Sequence, residues 1–257
     1  MIRFEGKTVL VTGASRGIGE ATARYFAKRG ANVALLARSA DDLLRITREI
    51  HAKGGTAIAI ASDVARYDEI YSATQSVMEK FGKLDILVNN AGLIEPVARI
   101  ADSDPKKWSH IVDVNFKGVY YGLRATIPLM LEAGSGTIIN ISSGAATSAL
   151  EGWSHYCSTK AAVLSLTRCA HKEYGHQGVQ VIGLSPGTVD TDMQLAIRQS
   201  GINPVSKLDP SAHIPPQWVA KAVGFLCGDG GIAFAGTDFS LKTNDGRQLV
   251  GLPMCAT

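Results

Sequence analysis

Seven short runs of mostly apolar residues, many of them β-branched, punctuate the chain at 7–12, 32–37, 56–61, 84–89, 136–142, 179–184 and 237–241. Several are apolar throughout instead of alternating. A strand reads this way when both faces of its sheet are covered, as in a parallel sheet between helix layers. The intervening stretches, such as 17–29 and 40–53, space their apolar residues for one face of a helix. Ser39, with Asp42 three residues on, reads as a capping box that opens the second of these helices, and Gly54-Gly55 ends it. The alternation predicts an α/β, Rossmann-type doubly wound sheet of about seven parallel strands with helices on both faces, in one domain over 1–257. The stretch 190–217 breaks the pattern, with four of the nine prolines (Pro204, Pro210, Pro215, Pro216) following a strand end. Such a segment predicts a mobile lid over a site.

Composition narrows the partners. Hydrophobic residues make up 46% and charged residues 19% of the 257, enough for a large core and against disorder. The net charge is +3 with no basic run, so nucleic acid is not an expected partner. No signal peptide and no run of 18 apolar residues is visible, which predicts no membrane span and a cytoplasmic protein. Cys157, Cys169, Cys227 and Cys255 are scattered without a C-x-x-C pair and read as reduced thiols, Cys157 as a packing residue. The six histidines show no ligand spacing, so no metal is expected.

The first strand runs into Thr12-Gly13-Ala14-Ser15-Arg16-Gly17-Ile18-Gly19, and a helix follows. Glycines let the backbone turn tightly and approach a pyrophosphate, whose charge is held by the free N–H groups and dipole of the helix's first turn. The spacing is G-x-x-x-G-x-G rather than the commoner G-x-G-x-x-G, so the weight rests on the strand before it and the helix after it. An NAD site usually places a carboxylate at the end of the second strand, for the ribose 2′-hydroxyl. Here that strand ends Leu36-Ala37-Arg38-Ser39, with no acid at its tip. Arg38, with Arg16 reaching over from the glycine turn, suits a 2′-phosphate, because guanidinium donors match phosphate oxygens in pairs. Asp41 and Asp42 fall in the first helical turn, where they serve the helix dipole. NADP(H) is the expected cofactor and NAD(H) the alternative.

Tyr156 and Lys160 are four residues apart in a stretch that continues as helix, so both side chains share one face. A nearby ammonium lowers a phenol's pKa from its usual value near 10, giving a group able to donate or accept a proton near neutral pH. Upstream, Ile141-Ser142-Ser143-Gly144 ends the fifth strand. A serine there faces the crevice where open α/β sheets bind ligands, and its hydroxyl is placed to hold a substrate oxygen.

These motifs, in this order, resemble the short-chain dehydrogenase/reductase family. The resemblance runs from Gly6 to about Leu241 and takes in Asp63-Val64, Asn89-Asn90-Ala91-Gly92, Asn115, and Pro186-Gly187 followed by Thr191. It implies that Tyr156 is the general acid/base. Ser143, thirteen residues earlier, would polarise the carbonyl. Lys160 would bind the nicotinamide ribose and lower the tyrosine pKa, and Asn115 would anchor a water in the proton relay. Gly13, Ser15, Arg16, Gly17, Ile18, Gly19 and Arg38 would meet the cofactor's phosphates. Val64, Asn90, Ala91, Gly92, Pro186 and Gly187 would line it further along, with Asp63 at the adenine and Val189 and Thr191 at the nicotinamide amide. Hydride would pass from the B face.

A narrower set of residues, among them Leu93-Ile94-Glu95-Pro96 and Asp190-Thr191-Asp192-Met193, is similar to carbonyl reductases of the sepiapterin and benzil reductase group. That similarity implies a compact dicarbonyl or aromatic ketone. Glu95, Trp153 and Met193 are the candidate substrate contacts beside Ser143. His155, next to Tyr156, is expected at the rim, since neighbouring helix positions point elsewhere. The stretch 235–246 lacks the Val-Asp-Gly-Gly ending of many family members, which supports tetramer contacts, so a homodimer is expected as readily as a homotetramer. Two alternatives remain. One is a non-catalytic NADP(H)-sensing protein, against which the intact Asn115, Ser143, Tyr156 and Lys160 argue. The other is an NAD-dependent alcohol dehydrogenase on the same scaffold.

Overall fold

A computed structural model describes residues 3–254; Cys255 lies outside them. The apolar runs become strands because each feeds two cores at once. In β1 (Thr8–Thr12), Val9 and Val11 point into one layer and Leu10 into the other. In β2 (Asn32–Ala37), Val33 and Leu35 alternate in the same way with Ala34 and Leu36. The first layer is completed by Phe26 of α1 (Gly17–Ala27), Leu43 and Ile46 of α2 (Ala40–Ala52) and Val223 of α8 (Pro216–Leu226). The second is completed by Ile70 and Val77 of α3 (Tyr67–Phe81), Leu123 of α5 (Gly118–Glu132) and Val163 of α6 (Ser154–Tyr174). Burying both faces is the main stabilisation of such a sheet, at about 25 cal/mol for each Å² of apolar surface removed from water.

With β3 (Thr56–Ala61), β4 (Ile86–Asn89), β5 (Gly136–Ile141), β6 (Val179–Ser185) and β7 (Asp238–Ser240), the sheet has seven strands in the order β3-β2-β1-β4-β5-β6-β7. Every pairing is parallel. The order reverses between β1 and β4, and ligands of open parallel sheets bind beyond the carboxyl ends at such a reversal.

Three local features differ from the expectation. β4 and the edge strand β7 are each two residues shorter than their apolar runs. The capping box does not form: Ser39 Oγ donates to Asp42 Oδ2 at 2.7 Å, so the hydroxyl serves the carboxylate and caps no backbone N–H of α2. Between α4 (Pro105–Val112) and α5, residues Asp113–Lys117 wind as a π-helical turn, a bulge that often marks a functional position.

The proline-rich excursion carries α7 (Asp192–Ser200) and two short 3₁₀ turns. Its ends are tied together by a parallel bridge between Val189 and Ile214. The last helix among the described residues is α9 (Asn244–Val250). Among the described residues, no helix is long and apolar enough to cross a membrane.

Candidate active site

A cleft of about 990 Å³ opens over the carboxyl ends of the strands, flanking the reversal between β1 and β4. Its floor is the glycine turn. Gly13 and Gly17 have φ of 64° and 56°, a region that disfavours residues with a Cβ. A Cβ on Gly13 would lie 2.8 Å from Ala91 Cα. Thr12 Oγ1 accepts from the N–H groups of Asn90 and Ala91 at 3.0 and 3.1 Å. Asn90 Nδ2 donates to the carbonyls of Thr12 and Gly13 at 2.9 and 3.2 Å. Asn90 therefore props the turn against the end of β4 as well as lining the cleft with Ala91 and Gly92. Gly19 does not line it. A Cβ there would sit 2.2 Å from the Gly13 carbonyl, so this glycine lets α1 pack onto the turn. No side chain caps α1 at Arg16, which leaves the helix's first-turn N–H groups for an anion. Side-chain-free backbone in mid-cleft, with arginines at one end and a buried lysine at the other, is a donor set that fits a dinucleotide.

At the arginine end, Arg16 and Arg38 both line the cleft, with Ser15, Ser39, Asp63 and Val64. Arg16 is already engaged: its Nη1 lies 3.2 Å from Asp192 Oδ2, both groups largely exposed, linking the glycine turn to α7. Asp42 also lines the cleft, which the sequence did not reveal, because the register of α2 had to be known. Its carboxylate is shared by Ser39 and Arg45. Asp63 Oδ1 accepts from the Ala65 N–H at 3.0 Å.

At the other end, α6 presents Tyr156 and Lys160 to the cleft, with Ser143 opposite. Ser143 Oγ accepts from the Ala145 N–H at 3.1 Å. Lys160 is buried, and its Nζ donates to the Ile141 carbonyl at 2.7 Å while standing 5.6 Å from the centre of the Tyr156 ring. Burial pushes the Tyr156 phenol up to about 12, with the Ser143 hydroxyl pulling the other way. The residue keeps some surface open to the cleft, but the phenol lies deep among protein atoms. Burial brings Lys160 down to about 8. The expected lowering of the phenol by the lysine is thus corrected: in this geometry desolvation governs both groups, and the ammonium is turned to a backbone carbonyl.

The lysine shift has a pH signature. Its folded value of about 8 lies below the usual 10.5, so between these pH values the unfolded chain binds more protons and stability rises with pH. Over that window the wild-type protein is expected to gain up to about 3 kcal/mol on Lys160→Met, read from urea midpoints at stepped pH.

Asn115, in the π turn, is fully buried and does not line the cleft. Its side chain clamps Leu93, accepting from the N–H and donating to the carbonyl, each at 2.8 Å. His155 is not at the rim. It is fully buried, with Nε2 2.7 Å from the Ile94 carbonyl, and burial lowers its pKa. The helix position beside Tyr156 does point away from the cleft, but into packed protein. Together Asn115 and His155 pin the wall of which Leu93 and Ile94 are part. Beyond it an apolar cluster of Ile94, Ala145, Trp153 and Ile197, with Met193 and Val205 against it, lines this end of the cleft and forms its apolar pocket. Trp153 meets Tyr156 edge-on at 5.5 Å. Glu95, Trp153 and Met193 all line the cleft, as do Pro186, Gly187, Val189 and Thr191. Ile197 was missed, although its four-residue spacing from Met193 was visible in the sequence.

Comparison with known proteins agrees with this architecture. A model of the family described as short chain dehydrogenase matches residues 7–201. The 3-oxoacyl-[acyl-carrier-protein] reductase FabG of Staphylococcus epidermidis is 35% identical over 225 residues, 87% of this chain and 92% of its own. The 3-oxoacyl-[acyl-carrier-protein] reductase of Synechocystis sp. is 35% identical over 236 residues, covering 91% of this chain and 94% of its own. Among solved structures, an NAD+-bound xylitol dehydrogenase superposes with a TM-score of 0.87 at 25% identity, over 93% of this chain and 99% of that one.

Proposed function

The chain belongs to the short chain dehydrogenase family and is an oxidoreductase of that class; from that premise we propose that it is an NADP(H)-dependent carbonyl reductase with Tyr156 as general acid/base. The observation that carries the reading is the buried phenol of Tyr156, held protonated with Ser143 beside it at the edge of an apolar pocket.

The glycine turn would hold a nicotinamide dinucleotide, with Arg16 and Arg38 meeting its 2′-phosphate and Lys160 its nicotinamide ribose, and the group would supply the hydride. The hydroxyls of Ser143 and Tyr156 donate to the substrate's carbonyl oxygen and polarise it. As charge builds on that oxygen, the Tyr156 proton passes to it. Lys160, brought down to about 8, is poised to pass a proton on near neutral pH. Ile94, Trp153, Met193 and Ile197 exclude water and receive the apolar flank of the ketone. The 190–217 excursion, through α7, closes this pocket as a lid.

Substrate class follows from two supports. The named relatives are 3-oxoacyl-[acyl-carrier-protein] reductases, and the sequence resembles reductases of compact dicarbonyls. Both set a ketone near a second carbonyl. The test is loss of NADPH absorbance with a β-keto thioester, an α-diketone and a simple cyclic ketone. Dicarbonyls are expected to react at least about tenfold faster than the simple ketone. No reduction of any of them, with secondary alcohols oxidised by NAD+, would sink the reading and favour Asp42 as a ribose-binding carboxylate.

A further inference from the structure

A second buried charge lies behind Lys160. Asp238 opens β7, the edge strand, within the C-terminal stretch that departs from the family's usual ending. Asn140 on β5, Gly183 on β6 and Asp238 on β7 stand in one row, so their side-chain positions share a sheet face. That face is covered by α6, where Asn140 Nδ2 donates to Thr167 Oγ1 at 2.9 Å. Gly183 makes the room for a carboxylate: a Cβ there would lie 2.6 Å from Asp238 Oδ1. The carboxylate leans inward over β6 instead of outward from the edge. Ser185 Oγ donates to Asp238 Oδ2 at 2.6 Å. Asp238 Oδ1 and Ser142 Oγ are both buried and meet no other partner with full hydrogen-bond geometry, and the Ser142 hydroxyl lies near enough to the carboxylate to favour its charged form.

A buried carboxylate with one oxygen only weakly partnered is costly, and such groups persist where an opposite charge compensates. The facing groups are Ser142 just past β5, Ser185 from β6, and Lys160 and Arg168 from α6. Arg168 is exposed and screened by water, whereas Lys160 is buried. The Ile141 carbonyl that holds Lys160 Nζ is in register with Leu184 and Phe239, the row next to that of Asp238. We propose that Asp238 is a positioning residue of this site: a buried counter-charge on the edge strand that keeps Lys160 an ammonium at the base of the cleft. Burial outweighs the other influences and raises the Asp238 carboxyl, while Ser185, Ser142, Lys160 and Arg168 pull against it and favour its charged form. Reciprocally, Asp238 supports the ammonium of Lys160 against the lowering by burial. The inference rests on the reading of Lys160 as part of the proton path only for its effect on turnover, not for the charge coupling itself.

Carbon-13 NMR of protein carrying lysine labelled at Cε reads Lys160 directly, its signal assigned by its loss in Lys160→Arg. Wild-type Lys160 is expected to titrate at about 8. In Asp238→Asn the midpoint is expected to fall to about 7, cutting the ammonium fraction at pH ~7.5 roughly threefold. Asp238→Thr removes the charge with a smaller side chain and is expected to give the same fall, should the asparagine disturb folding. An unmoved Lys160 midpoint in either folded variant overturns the proposal. The pH profile of kcat/KM for Asp238→Asn is expected to move with the midpoint. A profile that stays in place while the midpoint falls leaves the counter-charge standing and removes Lys160 from the proton path.

Discussion

Replacing Tyr156 by phenylalanine is expected to lower kcat/KM about a thousandfold while leaving cofactor affinity within about twofold, since a positioned general acid contributes about a hundred- to ten-thousandfold. The substitution removes one hydroxyl and keeps the ring, so the edge contact with Trp153 at 5.5 Å survives and the pocket keeps its shape. On the proposed reading Ser143 only polarises the carbonyl, so it is not expected to replace the lost donor. A thousandfold corresponds to about 4 kcal/mol of transition-state stabilisation, the size expected for a lost proton donor combined with a lost oxyanion contact. Because burial holds the phenol near 12, Tyr156 stays protonated through neutral pH, and it should impose no ionisation on the reductive rate until strongly alkaline conditions. Steady-state kinetics across pH, with a fluorescence titration of NADPH for both proteins, decides the matter. A variant that keeps turnover within about tenfold would show that another group delivers the proton, or that cofactor sensing and not reduction is the role.

Much of this arrangement was legible in the sequence, for physical reasons that differ from residue to residue. Val9, Leu10 and Val11 read as a strand because each is buried in one of two layers, which a parallel sheet requires. Gly13 and Gly17 stood out because their backbone is left-handed, where other residues are strained. Tyr156 and Lys160 were paired by helix spacing and by the family resemblance. Neither gave a measure of burial, and burial reverses the expected direction of the phenol's shift. The partners of Asn115 and His155 were out of reach because they are backbone groups 22 and 61 residues away. The inward lean of Asp238 depends on the missing Cβ of Gly183, a neighbour that only the strand register reveals. The π turn at Asp113–Lys117 contains neither Gly nor Pro, the residues that punctuate a helix in sequence. What stayed hidden is mostly long-range contact and its desolvation, not local conformation.

Arg38→Asp is expected to weaken NADPH binding about a hundredfold and to tighten NADH binding, inverting the preference. Two effects act together. A guanidinium paired with a phosphate makes charge-assisted hydrogen bonds of about 1.5–3 kcal/mol. A carboxylate in its place repels the 2′-phosphate and accepts from the free ribose hydroxyl of NADH instead. Arg38 is exposed, so salt screens part of the effect, and the loss should shrink as ionic strength rises. Arg16 is not an equal partner. Its 3.2 Å contact with Asp192 must loosen or be shared before it serves a phosphate, so Arg16→Ala should cost less than Arg38→Asp. Asp192→Asn, which frees Arg16 from that pair, should then tighten NADPH binding modestly and leave NADH unchanged. Asp42 opposes all of this from the same end of the cleft, but its charge is shared by Ser39 and Arg45. Fluorescence titrations of both cofactors at two salt concentrations measure each term. If the wild-type protein binds NADH as tightly as NADPH, the arginines do not read a 2′-phosphate, and Asp42 becomes the residue that meets the ribose.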